Sequence, residues 1–332
     1  MLIDAQANLR TLRDVLRYAV TRFSEGNVFY GHGQIDAFDE AVFLVLRGLK
    51  LPVERLDVFL DAYLTHAEIN SLLEMIERRV KKRVPTAYLL NEAWLHGYRF
   101  YVDERAIIPR SFIAELLKDG LDPWVREPAS VRDVLDLCTG SGCLAIMAAD
   151  VFPAARVDAV DLSDDALLVA KRNVDDYQLQ DRLTLRRSDL FEALPKKKYD
   201  LIITNPPYVT DSAMGALPRE YSYEPKLALA GGADGLDVVE RIMRESRERL
   251  KRNGTLIVEI GDGRAALETR FPALVVSQVG ASDGKRVSSA ARPSPISTIS
   301  VPLRFRRSRD SRMMRSTTSS PSAPPASASL GS

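Results

Sequence analysis

The sequence is poor in cysteine, histidine and long apolar runs, and each shortage excludes a class of protein. The 332 residues include two cysteines and three histidines, too few for a disulfide framework or a zinc site. No segment approaches the roughly 18 apolar residues of a membrane-spanning helix, and the first residues lack a signal-peptide pattern. We therefore expect a cytoplasmic protein with no metal and no membrane contact.

The net charge of +1 hides an asymmetry along the chain. Residues 285–332 carry nine Lys/Arg side chains and one acidic side chain, so the first 284 residues hold 37 basic and 44 acidic groups, a net charge of −7. A body of that sign binds DNA poorly. The charge distribution therefore disfavours a DNA-binding enzyme.

The N-terminal third is predicted to be helical. Within residues 5–83, apolar side chains recur at helical spacing, as they do on the buried face of an amphipathic helix. Between residues 92 and 108 the period changes to two, which predicts a β-hairpin. We interpret residues 1–88 as a helical domain and residues 89–110 as a hairpin linker. His32 and His66 are expected to be surface or loop residues.

From residue 111 to about residue 280, strand, Gly-rich turn and helix alternate. This alternation predicts an α/β domain with a doubly wound parallel sheet and a ligand at the carboxyl ends of its strands. Residues 253–254, Asn-Gly, are expected to stop the last helix. The predicted strands are 133–137, 156–160, 183–186, 200–204 and 255–259, and the predicted helices are 143–151, 163–177 and 236–251.

The pattern ends near residue 280. Residues 288–332 contain 14 Ser, 6 Pro and 7 Arg and show no sustained periodicity, which is typical of disorder. We therefore predict that residues 281–332 form an aberrant, disordered tail.

A glycine-rich loop follows the first strand of the α/β domain, at residues 136–143. Its two glycines permit a tight turn and a close approach of a ligand to the next helix. Asp161 lies 19 residues beyond Gly142, at the end of the second strand, where a carboxylate can accept both hydroxyls of a ribose. Asp189, after the third strand, can reach an adenine amine. These features fit both NAD enzymes and S-adenosylmethionine enzymes.

Three details favour S-adenosylmethionine as the cofactor. Ala145 occupies the position of the third glycine in the dinucleotide fingerprint. Asp136 would repel a pyrophosphate but can hold an α-ammonium group. The fourth strand ends in an acceptor cluster, where a dehydrogenase needs a proton-handling residue. The predicted cofactor-binding residues are Asp136, Cys138, Thr139, Gly140, Ser141, Gly142, Asp161, Asp189, Leu190 and Asn205.

That cluster is Asn-Pro-Pro-Tyr, residues 205–208, directly behind a buried strand. The prolines have no N–H and fix the backbone, so the segment presents a rigid group of hydrogen-bond acceptors. Such a group suits a planar NH2 group whose nitrogen is attacked. We expect the side-chain carbonyl of Asn205 and the backbone carbonyl of Pro206 each to accept one N–H. The predicted catalytic residues are Asn205, Pro206, Pro207 and Tyr208.

Together these motifs resemble the HemK/PrmB family of protein-(glutamine-N5) methyltransferases, over roughly residues 1–275. The resemblance implies a Rossmann-like class I S-adenosylmethionine-dependent methyltransferase sheet, with an N-terminal helical domain that docks the substrate and a linking β-hairpin. Pro109-Arg110-Ser111 is similar to the branch that methylates a glutamine in the third protein of the large ribosomal subunit, and it implies a substrate loop at Pro109 and Arg110. Further matching stretches are residues 83–89, 224–225 and 227–236.

Three alternatives stay open at this point: methylation of the GGQ glutamine of release factors, adenine-N6 methylation of nucleic acid, and a binding module without activity. The third is suggested by the C-terminal end. Members of the family complete a seven-stranded sheet with two antiparallel strands. Residues 271–279 match the first of these, whereas residues 286–292 match the second poorly. We therefore expect an incomplete sheet edge.

Overall fold

The computed structural model describes residues 2–271, 274–276 and 299–305. These residues form a group of N-terminal helices, a short hairpin and a seven-stranded sheet flanked by helices. Within these ranges no helix has the length and apolar character needed to cross a membrane.

The N-terminal helices pack around a common apolar core, in which Leu12, Val15, Ile69 and Leu72 are almost completely buried. Two of the helices begin with a threonine capping box, in which the side chains of the cap and of the third helical residue satisfy each other's backbone N–H groups. The elements are α1 (Leu2–Asn8), α2 (Leu12–Glu25), α3 (Ala37–Gly48), α4 (Leu56–Phe59), α5 (His66–Glu77), a π-helical turn (Arg78–Lys82) and α6 (Thr86–Leu90).

A two-stranded hairpin joins these helices to the sheet. Strands β1 (Ala93–Leu95) and β2 (Tyr98–Phe100) are antiparallel. The turn between them places both His96 and Gly97 at positive φ, as a two-residue hairpin turn of the primed type requires. Phe100 is fully buried in the core beneath the sheet, so the hairpin is packed on the sheet.

The central sheet has the strand order β5-β4-β3-β6-β7-β9-β8. Strands β3 to β7 are parallel, and β9 is antiparallel to both of its neighbours. These features confirm the predicted fold class. The strands are β3 (Asp133–Leu137), β4 (Arg156–Asp161), β5 (Leu183–Arg187), β6 (Tyr199–Thr204), β7 (Leu250–Ile260), β8 (Leu274–Val276) and β9 (Ile299–Phe305).

Helices cover the sheet and lead into its loops. Because β3 has β4 on one side and β6 on the other, the chain reverses its direction of winding at β3, and ligands of such sheets bind at this point. The helices are α7 (Phe112–Lys118), α8 (Cys143–Val151), α9 (Asp164–Asp176), α10 (Asp211–Met214), α11 (Asp237–Arg249) and α12 (Arg264–Arg270), with 3-10 turns at Val53–Arg55, Pro128–Ser130, Arg219–Tyr223 and Lys226–Ala228.

The seventh strand corrects the prediction for the C-terminal end. The sequence pattern predicted disorder throughout residues 281–332 and an incomplete sheet, yet Ile299–Phe305 pairs with both β7 and β8. The prediction is therefore wrong for this segment. Residues 299–305 alternate apolar and polar types, and pairing satisfies the N–H and C=O groups of β7, which an open edge would leave bare. Residues 286–292, which match the second antiparallel strand poorly, and the rest of the tail apart from residues 299–305 lie outside the described residues.

The predicted end of α11 is also wrong. The helix ends at Arg249, and Asn253 and Gly254 lie inside β7. The pairing of β6 with β7 shifts its register at this point. A Cβ on Gly254 would lie 2.8 Å from the carbonyl oxygen of Tyr199. The glycine therefore permits a close approach of two strands, and it does not stop the helix.

A buried arginine joins the helical region to the sheet. Arg79 is 1% exposed, and its guanidinium binds the carboxylate of Glu40 and, at 3.1 Å, Oε1 of Glu220. It also donates to the carbonyl oxygen of Phe29 at 2.7 Å. Because Glu220 lies in the turn Arg219–Tyr223, beyond β6, this one side chain connects the two parts of the molecule.

Candidate active site

A cavity of about 320 Å³ opens at the carboxyl ends of β3, β4 and β6. One of its walls comes from the loops after β3, β4 and β5, and the other comes from the segment after β6 and the loop before α7. The predicted site residues on its walls are Cys138, Gly140, Asp161, Asp189, Leu190, Asn205, Pro206, Pro207, Tyr208 and Arg110.

Asp161 holds the glycine-rich loop from below. Its Oδ2 accepts the backbone N–H of Gly140 and its Oδ1 accepts that of Ser163, each at 2.9 Å. Burial raises the pKa of the carboxyl, and these two hydrogen bonds act against the rise. A carboxylate oxygen accepts more than one hydrogen bond, so Asp161 keeps acceptor capacity toward the cavity. This acceptor fits a pair of ribose hydroxyls, each of which can donate a hydrogen bond.

Four predicted cofactor-binding residues lie outside the cavity wall: Asp136, Thr139, Ser141 and Gly142. Asp136 is fully buried and accepts the hydroxyl of Thr139 at 2.6 Å, and burial raises its pKa to about 7. In the described part of the chain, Oδ1 of Asp136 and the hydroxyl of Ser141 have no hydrogen-bond partner. Both atoms belong to the glycine-rich loop, and unpaired polar atoms there fit a ligand with polar groups. Contact of these four residues with the cofactor stays a prediction.

Asp189 and Leu190 follow β5 at the far end of the same wall. The carboxylate of Asp189 forms an ion pair with Arg241 at 3.0 Å. Leu190 is buried and has a positive φ of 49°. Arg241 also lines the cavity. Its sequence context did not indicate this role, because an arginine in the middle of an amphipathic helix usually faces solvent.

Asn205 is oriented by one hydrogen bond. Its Nδ2 donates to the carbonyl oxygen of Arg110 at 3.1 Å. A carbonyl oxygen only accepts hydrogen bonds, so the amide nitrogen of Asn205 has to face Arg110. The acceptor oxygen Oδ1 therefore points away from that carbonyl.

Glycines pack against the back of the Asn-Pro-Pro-Tyr segment. A Cβ on Gly231 would lie 2.7 Å from Cα of Tyr208 and 2.9 Å from the carbonyl oxygen of Pro207. Gly235 has a φ of +77°, and its Cβ would lie 2.3 Å from the carbonyl oxygen of Tyr208. Side chains at either position would displace the segment, which explains the glycine-rich stretch at residues 231–235 in physical terms.

Arg110 is held by Glu224, a residue with no role assigned from the sequence. Its Nη2 donates to Oε2 of Glu224 at 2.6 Å, and the N–H of Ile108 donates to Oε1 at 3.1 Å. Burial acts to raise the pKa of Glu224, but the charge and hydrogen bonds of Arg110, together with His32, outweigh it and hold the pKa at about 2. Pro109 is buried and does not line the cavity. The pair thus fixes the loop that carries Arg110.

Glu259 is a third residue of the site, after Arg241 and Glu224, that had no role assigned from the sequence. It is 2% exposed and accepts hydrogen bonds from the hydroxyl of Ser111, from the N–H of Phe112 at 3.0 Å and from the hydroxyl of Tyr208 at 3.4 Å. Burial raises its pKa to about 7. An acidic residue at the end of the predicted strand 255–259, beside the strand that leads to Asn205, was a usable signal.

His32 lies in a loop, as predicted, and its side chain is only 6% exposed. Its ring lies 4.7 Å from that of Tyr221, and its Nε2 lies 3.8 Å from Oε1 of Glu224. Within the described ranges, no group of three or more His, Cys, Asp or Glu side chains could hold a metal ion.

The chain matches known methyltransferases. Residues 117–217 match the model of the "Methyltransferase small domain" family, a range that includes the glycine-rich loop and the Asn-Pro-Pro-Tyr segment. The match supports methyl transfer as the reaction and S-adenosylmethionine as the cofactor, as predicted.

Curated relatives are similar over most of their length. The chain is 59% identical to a protein of Bordetella pertussis over 266 residues, which cover 80% of this chain and 89% of that protein. It is 56% identical to a protein of Burkholderia pseudomallei over 272 residues, covering 80% and 89%, and 51% identical to one of Neisseria gonorrhoeae over 284 residues, covering 86% and 95%. All three are named ribosomal protein uL3 glutamine methyltransferase. Identity at this level over this length shows that the chain belongs to the family of ribosomal protein uL3 glutamine methyltransferases.

Proposed function

We propose that this chain methylates the side-chain amide nitrogen of a glutamine in ribosomal protein uL3, in the cytoplasm. The observation that carries the proposal is the orientation of Asn205, whose Nδ2 is bound to the carbonyl oxygen of Arg110. The names of the relatives support this substrate, and they do not favour the release-factor or nucleic-acid alternatives.

An amide nitrogen is a poor nucleophile because its lone pair is delocalised into the carbonyl group. S-adenosylmethionine, when bound, supplies the electrophilic methyl group. Oδ1 of Asn205 and the carbonyl oxygen of Pro206 each accept one N–H of the substrate amide. These two fixed acceptors stabilise the positive charge that develops on the nitrogen, and they need no reorganisation as it develops. They also hold the nitrogen in the position for attack.

The cofactor in this proposal rests on the wall that contains Cys138, Gly140, Asp161 and Asp189. The carboxylate of Asp161 would accept the ribose hydroxyls and that of Asp189 the adenine amine, and Leu190 lines the same part of the cavity. Asp136, Thr139, Ser141 and Gly142, within the glycine-rich loop, are the further residues predicted to contact the cofactor, and the hydroxyl of Thr139 donates to Asp136.

Tyr208 and Arg110 complete the substrate side. The ring of Tyr208 packs on the plane of the substrate amide, and its hydroxyl is held by Glu259. Arg110 orders the substrate loop together with Pro109. Residues 1–88 dock the protein substrate, and residues 89–110 connect this helical domain to the methyltransferase domain, residues 111–280. The net charge of −7 on the first 284 residues favours a basic partner, such as a protein that binds ribosomal RNA.

The experiment is methyl transfer from radiolabelled S-adenosylmethionine onto three substrates offered separately: uL3, a release factor and DNA. We expect label on uL3 alone, and on a glutamine. Asn205→Ala should lose about 10²–10³-fold in kcat, which corresponds to about 2.7–4 kcal/mol. Asn253→Ala, at an exposed position in the amino-terminal half of β7 and outside the cavity wall, is the matched control and should retain full activity. Equal turnover of Asn205→Ala and the control would refute the mechanism, and label on DNA or the release factor would refute the substrate.

A further inference from the structure

Two buried carboxylates lie four residues apart at the turn Arg219–Tyr223. Glu220 and Glu224 are each 3% exposed, yet they bind different parts of the molecule. Glu220 binds Arg79 of the helical region at 3.1 Å. Glu224 binds Arg110, on the loop beside the cavity. The turn therefore offers two similar charges, of which Glu224 binds a residue of the cavity wall and Glu220 binds the helical region.

A short chain of contacts leads from Glu224 to Asn205. Glu224 holds the guanidinium of Arg110 at 2.6 Å and the N–H of Ile108 at 3.1 Å, so both ends of the loop that contains Pro109 are fixed. The carbonyl oxygen of Arg110 then accepts Nδ2 of Asn205 at 3.1 Å. No other hydrogen bond of the Asn205 side chain occurs among the described residues.

We propose that Glu224 is a positioning residue for methyl transfer: by fixing the Arg110 loop, it orients the side-chain amide of Asn205. This inference rests on the function proposed above. The terminal torsion of an asparagine side chain is broad and has two nearly equivalent orientations. The Arg110 carbonyl selects one of them. Without it, the amide rotates and presents N–H groups to the substrate amide, where an acceptor is needed.

Neighbouring groups hold the Glu224–Arg110 pair in place. The ring of Tyr221 lies 5.4 Å from the guanidinium of Arg110 and 4.7 Å from the ring of His32. His32 contributes Nε2 at 3.8 Å from Oε1 of Glu224. The pair is thus enclosed by the helical region on one side and by the cavity on the other.

The test compares Glu224→Gln with Glu220→Gln. The two side chains are equally buried, and each variant keeps the shape of its side chain and removes one charge. Both variants should therefore lower the Tm. Glu224→Gln should also lower kcat on uL3 by about tenfold or more, with unchanged affinity for the cofactor by calorimetry. Glu220→Gln, the control, should keep kcat within about twofold. Equal losses of kcat in the two variants would show a merely structural effect and overturn the proposal.

A double-mutant cycle then distinguishes positioning from general damage. If Glu224 acts through Asn205, adding Glu224→Gln to Asn205→Ala should cause no further loss of kcat, because the oriented group is already absent. Additive losses would overturn this inference and leave the proposed function intact. Wild-type turnover by Asn205→Ala alone would instead overturn the proposed mechanism. Should Glu224→Gln not fold, Arg110→Lys serves in its place, since lysine keeps the charge and loses the paired hydrogen bonds.

Discussion

Replacing Arg79 by methionine should destabilise the protein strongly. Among the described residues, Arg79 is the only cationic side chain that contacts Glu40, and it is the cationic side chain nearest to Glu220. The side chain is 1% exposed and donates to Glu40, Glu220 and the carbonyl oxygen of Phe29. Methionine fills much of the same space but pairs with neither carboxylate. Two nearly buried negative charges would then lose their main partner.

The expected loss of unfolding free energy is about 3–5 kcal/mol, the usual cost of removing one member of a buried ion pair. Thr86 donates its hydroxyl to Glu40 and the N–H of Phe29 donates to Glu220, so each carboxylate keeps one hydrogen bond, and the upper part of the range would require both to stay ionised. For a chain of typical stability, about 5–15 kcal/mol, this is a large fraction.

The assay is urea denaturation at pH 7, followed by circular dichroism, with Arg13→Met as the control. Arg13 pairs with Asp61 on the surface, where both side chains are more than half exposed, so the control should be indistinguishable from the parent chain. Adding Glu40→Gln to Arg79→Met should recover part of the lost stability, since Glu40 then has no cationic partner among the described residues, whereas Glu220 still has Arg83 at 3.7 Å. A loss below about 1 kcal/mol for Arg79→Met, or no recovery in the double variant, would refute the reasoning.

Two further predictions concern the site. The pKa of Glu259 is about 7, above the ordinary value of 4.5, so its contribution to stability is fully present below about pH 4.5 and is lost as the pH rises through 7, by at most about 3 kcal/mol. The unfolding free energy of Glu259→Gln relative to that of the parent chain should therefore be higher at pH 8 than at pH 5 in urea titrations. The same difference in unfolding free energy at both pH values would contradict this. Gly231→Ala should lower kcat by about tenfold or more, because the new Cβ would lie 2.7 Å from Cα of Tyr208. Gly215→Ala, whose Cβ would meet nothing closer than 4.0 Å, should retain activity, and equal kcat values in the two variants would exclude the steric argument.

The elements that were predicted correctly are those whose bounds are set by residues close together in the sequence. The strand Asp133–Leu137 and the helix Cys143–Val151 have the predicted bounds, because an apolar run, two glycines and a second apolar run determine them within twenty residues. The Asn-Pro-Pro-Tyr segment was found for the same reason, since prolines restrict the backbone without help from the rest of the fold.

What the sequence pattern missed depends on distant partners. Glu224 meets Arg110 across 114 residues and Ser111 meets Glu259 across 148, and no local period reports such pairs. His32 looked like a loop residue because its neighbours are glycines, and it is buried by a turn that lies far along the chain. The strand Ile299–Phe305 was missed because serine, proline and arginine dominate its surroundings, although it gains its pairing from β7.

The position of the cavity at the reversal of the sheet has an evolutionary consequence. One wall comes from a single stretch of about fifty residues, 138–190, and the other comes from residues 105–110 and 205–241. Apart from Asn205, a predicted cofactor-binding residue, and Arg241, which pairs with Asp189, mutations in the second set can change which molecule is accepted without altering the first. The same donor-binding half can thus be retained while the acceptor half diverges, so that one ancestral gene can yield enzymes for several acceptors through changes in only part of its length.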